Sequence, residues 1–264
     1  MTNSAAEPAS RHHANDAPPP FQQGPDASRP VRKASLIAGV ALLLMAALAG
    51  FGYNVAIHRL ITPGNAARTA QDIMAHQALF RAGIASLFLV IALDVVAALG
   101  LYRVFSPVSK PISAAAAAMR VVYAGIFAVA VVQLAGAARL LGGGKTLPAS
   151  GADRVHAEAL SDINRFTDIW HGGLILFGLY LLAIAWLAWR SGYVPRFLGF
   201  LIAIAGLGYI CDSIGQFVSG GSWTQVSTVT FIGEFLLALW LVIRGRRITV
   251  SQPVLHAEPA GAAR

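Results

Sequence analysis

The stretch Ser191-Gly192-Tyr193-Val194-Pro195-Arg196-Phe197-Leu198-Gly199 begins as a charged turn and becomes an apolar run. It continues through Ala205-Gly206-Leu207-Gly208-Tyr209-Ile210-Cys211-Asp212-Ser213 to Gln216. A carboxylate therefore sits inside an apolar segment long enough to span a bilayer core of about 30 Å at 1.5 Å per residue. This is the pattern of a membrane helix carrying one costly residue. Pro195 suits the first helical turn, where its missing N–H is not needed. The glycines from Gly199 to Gly208 suit close packing against a neighbouring helix.

Composition extends the reading to the whole chain. The 264 residues are 56% hydrophobic and 12% charged, with mean hydropathy +0.62. Soluble domains carry about 25% charged residues, so one polytopic all-α membrane domain is expected. The net charge of +8 is read as basic residues gathered in loops on one side of the membrane, not as a nucleic-acid surface. A single cysteine, Cys211, excludes an intrachain disulfide and a cysteine-based metal cluster.

Six spans are expected, at about 34–57, 79–104, 112–141, 166–189, 195–218 and 226–243, forming one transmembrane domain over 34–245. Tails at 1–33 and 246–264 lack apolar periodicity and read as disordered. Ala47-Leu48-Ala49 has the small-x-small form of a signal cleavage site. The long leading tail and long apolar run favour an uncleaved first span. Thr69-x-x-Asp72 has the form of a capping box for a helix running straight into the second span. The run Ala114 to Ala118 reads as packing surface. Residues 152–163 read as a short amphipathic helix on the surface, separate from the fourth span. Arg11, Arg29, Arg32, Lys33, Arg103, Lys110, Arg190, Arg196, Arg244, Arg246, Arg247 and Arg264 fall on the side of the termini. Both termini are therefore expected in the cytoplasm and the chain in the cell membrane.

The motifs carry a family resemblance. Ser191-Gly-Tyr-x-Pro195-x-x-Leu-Gly199 followed by Ala205-Gly206-x-Gly208-Tyr209-x-x-Asp212 resembles the bacterial membrane family known as domain of unknown function 4386. Leu79-Phe80-Arg81-x-Gly83, Asp94, Leu101-Tyr102, Pro107, Arg120, Phe177-Gly178-Leu179 and Gly233-Glu234-x-x-Leu237-x-Leu239-Trp240 agree in order and spacing. The resemblance covers about Ala34 to Gly245. It departs at Asp72, where the family typically has Asn. It implies a six-span integral membrane protein and brings no activity with it.

Ionisable residues inside spans turn inward and pair or line water. Depth in the expected spans sorts them into two layers. Asp94 and Arg120, on consecutive spans, are expected as a buried ion pair in the cytoplasmic half. Arg81, Asp168, His171, Tyr209, Asp212, Gln216 and Glu234 are expected in the outer half. There they would line a polar cavity for a ligand or protons, with Asp212 facing Glu234. Tyr209, Asp212, Ser213 and Gln216 follow helical spacing on one face. No metal is expected, because a His-Glu-x-x-His spacing is absent. No haem or other cofactor is expected either; His76 and His171 would have to face one cavity. Cys211 reads as a small packing residue. Gly142-Gly143-Gly144-Lys145 lacks the second half of a phosphate loop and follows a helix.

Three functional readings stand side by side. One is a non-catalytic membrane protein that binds or moves a small molecule or protons through the outer cavity. Another is a membrane enzyme acting on a lipid or quinone. The third is a structural or accessory subunit whose polar residues specify helix packing. The partners expected are the lipid bilayer and an unknown small molecule, with no nucleic acid. Oligomeric state is left open.

Overall fold

The computed structural model describes residues 28–142, 149–219, 223–224, 226 and 230–248. The expectations for residues 1–27, for Gly143 to Lys145, for the chain break at Gly220-Gly221 and for residues 249–264 lie outside this set. All regular structure in the described residues is helical. The helices are α1 (Ser28–Ala49), α2 (Ala66–Ala75), α3 (Gln77–Phe105), α4 (Lys110–Leu141), α5 (Ala149–Arg190), α6 (Arg196–Val218) and α7 (Ile232–Ile243). Helix α1 continues as a π-helical segment (Gly50–Ile57) and a 3-10 turn (His58–Leu60).

Five segments are long and apolar enough to cross a membrane: Pro30–Leu60, Gln77–Phe105, Lys110–Leu141, Gly151–Arg190 and Arg196–Val218. Helix α7 is apolar but has 12 residues. At 1.5 Å per residue it covers about 18 Å of a core of about 30 Å. The sixth expected span is therefore only partly one regular helix.

Helices α1, α3, α4, α5, α6 and α7 form a ring. Each packs on the next, and α7 closes back on α1. Short connections make consecutive helices antiparallel. One end of the bundle carries the tight turns α3–α4 and α5–α6, together with the C-terminus of α7; this is the turn end. The opposite end carries α2; this is the α2 end. Close approach of α5 and α6 requires glycine. A Cβ at Gly178 would lie 2.6 Å from the Gly206 carbonyl oxygen, and one at Gly206 would lie 2.8 Å from the Gly178 oxygen. Gly192 takes φ +71° in the α5–α6 turn, a conformation that L side chains adopt rarely.

Local readings change in four places. Asn65 caps α2, its side chain accepting from Arg68 N at 2.9 Å. Thr69 instead bonds both backbone groups of Thr62, at 2.9 and 3.2 Å. Asp72 pairs with Arg68 at 3.0 Å. The capping box is thus not formed, because asparagine one turn earlier supplies the cap. Nor does α2 run into α3: the chain breaks at His76, with φ −125° and ψ 38°.

Residues 152–163 belong to α5, a single 42-residue helix. Ala159, Ile163 and Phe166 are buried and α2 packs on α5, so the apolar stripe that suggested a surface helix faces protein. Of the alanine run only Ala116 is buried, while Ala114, Ala115 and Ala118 are exposed. Pro195 stands at the N-cap and α6 begins at Arg196.

Candidate functional site

The bundle centre is organised by Arg120 of α4, whose side chain is 1% exposed. A guanidinium so placed must gather acceptors from other helices. Its Nη2 lies 2.7 Å from Asp94 Oδ1 of α3, and that side chain is 2% exposed. Its Nη1 donates to the Tyr180 hydroxyl of α5 at 2.6 Å, and Nη2 reaches Met45 Sδ of α1 at 3.7 Å. The guanidinium carbon lies 4.9 Å from the Tyr180 ring centroid and 5.6 Å from that of Phe177. The Nε proton of Arg120 has no hydrogen-bond partner among the described residues. Glu234 of α7 interacts electrostatically with Arg120 and lies within hydrogen-bonding reach of Tyr209 of α6. All six helices of the ring thus contribute to one cluster.

This redraws the two expected layers. At 1.5 Å per residue, Arg120 stands about 15 Å along α4 from Lys110, and Asp94 about 16 Å along α3 from Phe105. Glu234 stands about 15 Å along α7 from Arg244 and Tyr209 about 20 Å along α6 from Arg196. Glu234 is therefore level with the Asp94–Arg120 pair, and Tyr209 lies about one turn nearer the α2 end. The expected span beginning at 226 placed Glu234 too near the α2 end.

Asp212, 1% exposed, has described hydrogen bonds to the α6–α7 connection. Its Oδ1 accepts from Trp223 Nε1 at 2.9 Å and from Val226 N at 2.7 Å. These bonds fasten that connection to α6. His171 is buried, stacks on Trp170 at 5.9 Å and lends its backbone oxygen to Ser213 Oγ at 2.6 Å. Gln216 and Tyr209 are half-buried, and Asp168 is exposed on α5. Arg81 is also exposed and lies against Gly142 at the C-terminus of α4, where a cation favours the helix dipole. The seven expected cavity residues thus divide among the central cluster, the α6–α7 fastening and the α2-end surface. Cys211 is exposed, not packed inside. Among the described residues no group of three or more His, Cys, Asp or Glu is placed to hold a metal ion.

Sequence reasoning missed the aromatic side chains that wall the cluster. Tyr53 meets Trp170 edge-on at 4.8 Å, and Trp170 lies 5.6 Å from Phe166. Trp170 Nε1 donates to the Tyr123 hydroxyl at 3.1 Å. Tyr123 lies 4.7 Å from Phe177, which in turn meets Tyr180 at 5.5 Å and Tyr209 at 5.2 Å. The available signal was two further tyrosines, Tyr123 and Tyr180, inside apolar spans, each with a hydroxyl that needs a partner when buried.

Comparison with known proteins adds a family to this geometry. Residues 37–245 match the family described as Domain of unknown function (DUF4386). The chain belongs to the DUF4386 family. A relative from Archaeoglobus fulgidus, described as an uncharacterized protein, is 37% identical over 172 residues, covering 64% of this chain and 89% of the relative. No solved structure matches. Asp94, Arg120, Tyr180, Tyr209 and Glu234 all lie within the matched DUF4386 region.

Proposed function

We propose that this DUF4386 protein is a multi-pass protein of the cell membrane that takes up protons from the α2 end into the Arg120 cluster, with Glu234 as the exchanging carboxylate. The observation that carries this reading is the buried Asp94–Arg120 pair with a second carboxylate, Glu234, within its electrostatic reach. With all three ionised the cluster holds one excess negative charge in a low-dielectric interior, a costly state. One proton cancels it.

The flanks of the cluster support a one-sided path. Toward the α2 end, α6 presents Tyr209, Asp212, Ser213 and Gln216 on one face. Toward the turn end the interior is apolar, with Leu101, Val104, Leu198, Ile202 and Leu241 buried and, among the described residues, only Ser35 and Ser113 as buried polar exceptions. Arg32, Lys33, Arg103, Lys110, Arg190, Arg196, Arg244 and Arg247 stand at the turn end. The positive-inside rule then assigns that end, and both termini, to the cytoplasm. Protons would enter from the outside.

Infrared difference spectra of the purified protein across a pH step test the reading. A protonated-carboxyl band that shifts in D2O and disappears in Glu234→Gln is the expected result. Proteoliposomes carrying a pH-sensitive dye would separate uptake from through-flow, and a sodium or potassium step in place of the pH step would reveal a cation instead. An unchanged carboxyl band in Glu234→Gln sinks the proposal.

A structural reading has its own support, since Arg120 is 1% exposed and enclosed by Phe177, Tyr180 and Met45. Under that reading Glu234→Gln changes thermal stability and leaves no proton signal to lose.

A further inference from the structure

The turn end holds a second candidate site, independent of the central cluster. A half-open pocket of about 200 Å³ is lined by Tyr193 and Pro195 of the α5–α6 turn, Trp240 and Arg244 at the end of α7, and Arg247 and Ile248 just after it. That is below the ~300–1,000 Å³ of a cleft for a whole drug-sized ligand, and suits a headgroup. The walls are fixed. The Tyr193 hydroxyl donates to the Val104 carbonyl at 2.6 Å. Ile248 is buried and its carbonyl accepts from Arg32 Nε at 2.9 Å.

The two cations in this pocket have no counter-ion among the described residues. The Arg244 and Arg247 side chains are exposed and form no ion pair or hydrogen bond among the described residues. Every described Asp and Glu lies in the bundle interior or at the α2 end: Asp72, Asp94, Asp153, Glu158, Asp162, Asp168, Asp212 and Glu234. Among the described residues, no carboxylate on this face can satisfy the arginines. A guanidinium donates in a planar fork that matches phosphate oxygens. Trp240 and Tyr193 place amphipathic rings beside it, as at a membrane interface. Basic pockets between membrane helices on the cytoplasmic side seat anionic lipid headgroups.

We propose that this pocket binds the phosphate of an anionic phospholipid headgroup through Arg244 and Arg247. Native mass spectrometry of the full-length, delipidated protein in detergent tests it, with phosphatidylglycerol or phosphatidylcholine added at equal concentration. Phosphatidylglycerol is expected to bind about ten-fold tighter or more, from two arginines acting on one anion. Arg244→Gln with Arg247→Gln removes that preference. Arg103→Gln with Lys110→Gln takes the same charge from the same end outside the pocket and leaves it within about two-fold.

Equal binding of the two lipids by the wild type overturns the proposal, as does equal loss in both double variants. Displacement of phosphatidylglycerol by millimolar inorganic phosphate makes this a free-phosphate site and overturns the lipid assignment. Should the pocket double variant fold poorly, Arg247→Gln alone and the wild-type lipid comparison decide the matter.

Discussion

Arg120 Nη2 and Asp94 Oδ1 stand 2.7 Å apart with both side chains at most 2% exposed, so each is the other's compensation for leaving water. Removing one partner strands the other. Asp94→Leu or Arg120→Met is therefore expected to destabilise the bundle by roughly 3–5 kcal/mol. Replacing both at once, as Asp94→Leu with Arg120→Met, restores most of that loss by turning the site apolar. Thermal unfolding of the four proteins in one detergent gives the coupling directly. Additive losses would mean that the pair does not act as a unit.

Gly178 and Gly206 set the α5–α6 distance, since a Cβ on either would meet the other's carbonyl oxygen. Backbone cannot yield as a flexible side chain can. Gly178→Val or Gly206→Val is expected to cost about 1–3 kcal/mol by forcing the helices apart. Gly125 and Gly172 meet nothing within 4 Å, and alanine there should be neutral or stabilise by up to about 1 kcal/mol. Melting temperatures of the four variants should split into these two groups.

How much of this was legible depended on which quantity the sequence carries. Span number and type follow from apolar run length, and the five long helices appear as such. The Asp94–Arg120 pairing was also readable, because consecutive antiparallel spans put residues at equal distance from one short turn side by side. Glu234 failed the same arithmetic. It must be counted from Arg244, where α7 ends, not from an assumed start at 226. The Asp212 contacts were illegible for another reason. Its described partners, Trp223 Nε1 and Val226 N, belong to an irregular connection whose path leaves no periodic trace. Thr69 lost the α2 cap because two candidate capping residues stood within one turn, and only the backbone path chooses between them.

Asp212 Oδ1 accepts two hydrogen bonds from the α6–α7 connection. Asparagine retains an acceptor oxygen there and alanine does not. Asp212→Ala should therefore release the connection, at a cost of roughly 1.5–3 kcal/mol for each bond to the charged carboxylate, while Asp212→Asn loses less. Limited proteolysis between α6 and α7 reads the difference. Equal protection of the alanine variant and the wild type would show that other contacts hold the connection.

Tyr193 lies in the α5–α6 turn, outside the spans, with its hydroxyl on the Val104 carbonyl at 2.6 Å and its ring stacked on Phe105 at 6.4 Å. Burial pushes its phenol above the ordinary tyrosine range. The unfolded chain releases this proton near pH 10, whereas the native state keeps it to higher pH. The native state therefore binds more protons in that window, and its stability falls as pH rises through it. Below about pH 10 the phenol is protonated in both states, and no pH dependence arises from it. Tyr193→Phe keeps the ring stack and removes both the hydrogen bond and the proton. It is expected to lose about 0.5–1.5 kcal/mol at neutral pH and to show a shallower fall in melting temperature above pH 10. Parallel melting curves for variant and wild type across the alkaline range would show that the Tyr193 phenol titrates alike in the native and unfolded states, and an equal melting temperature at neutral pH would remove it as the group anchoring the α5–α6 turn to α3.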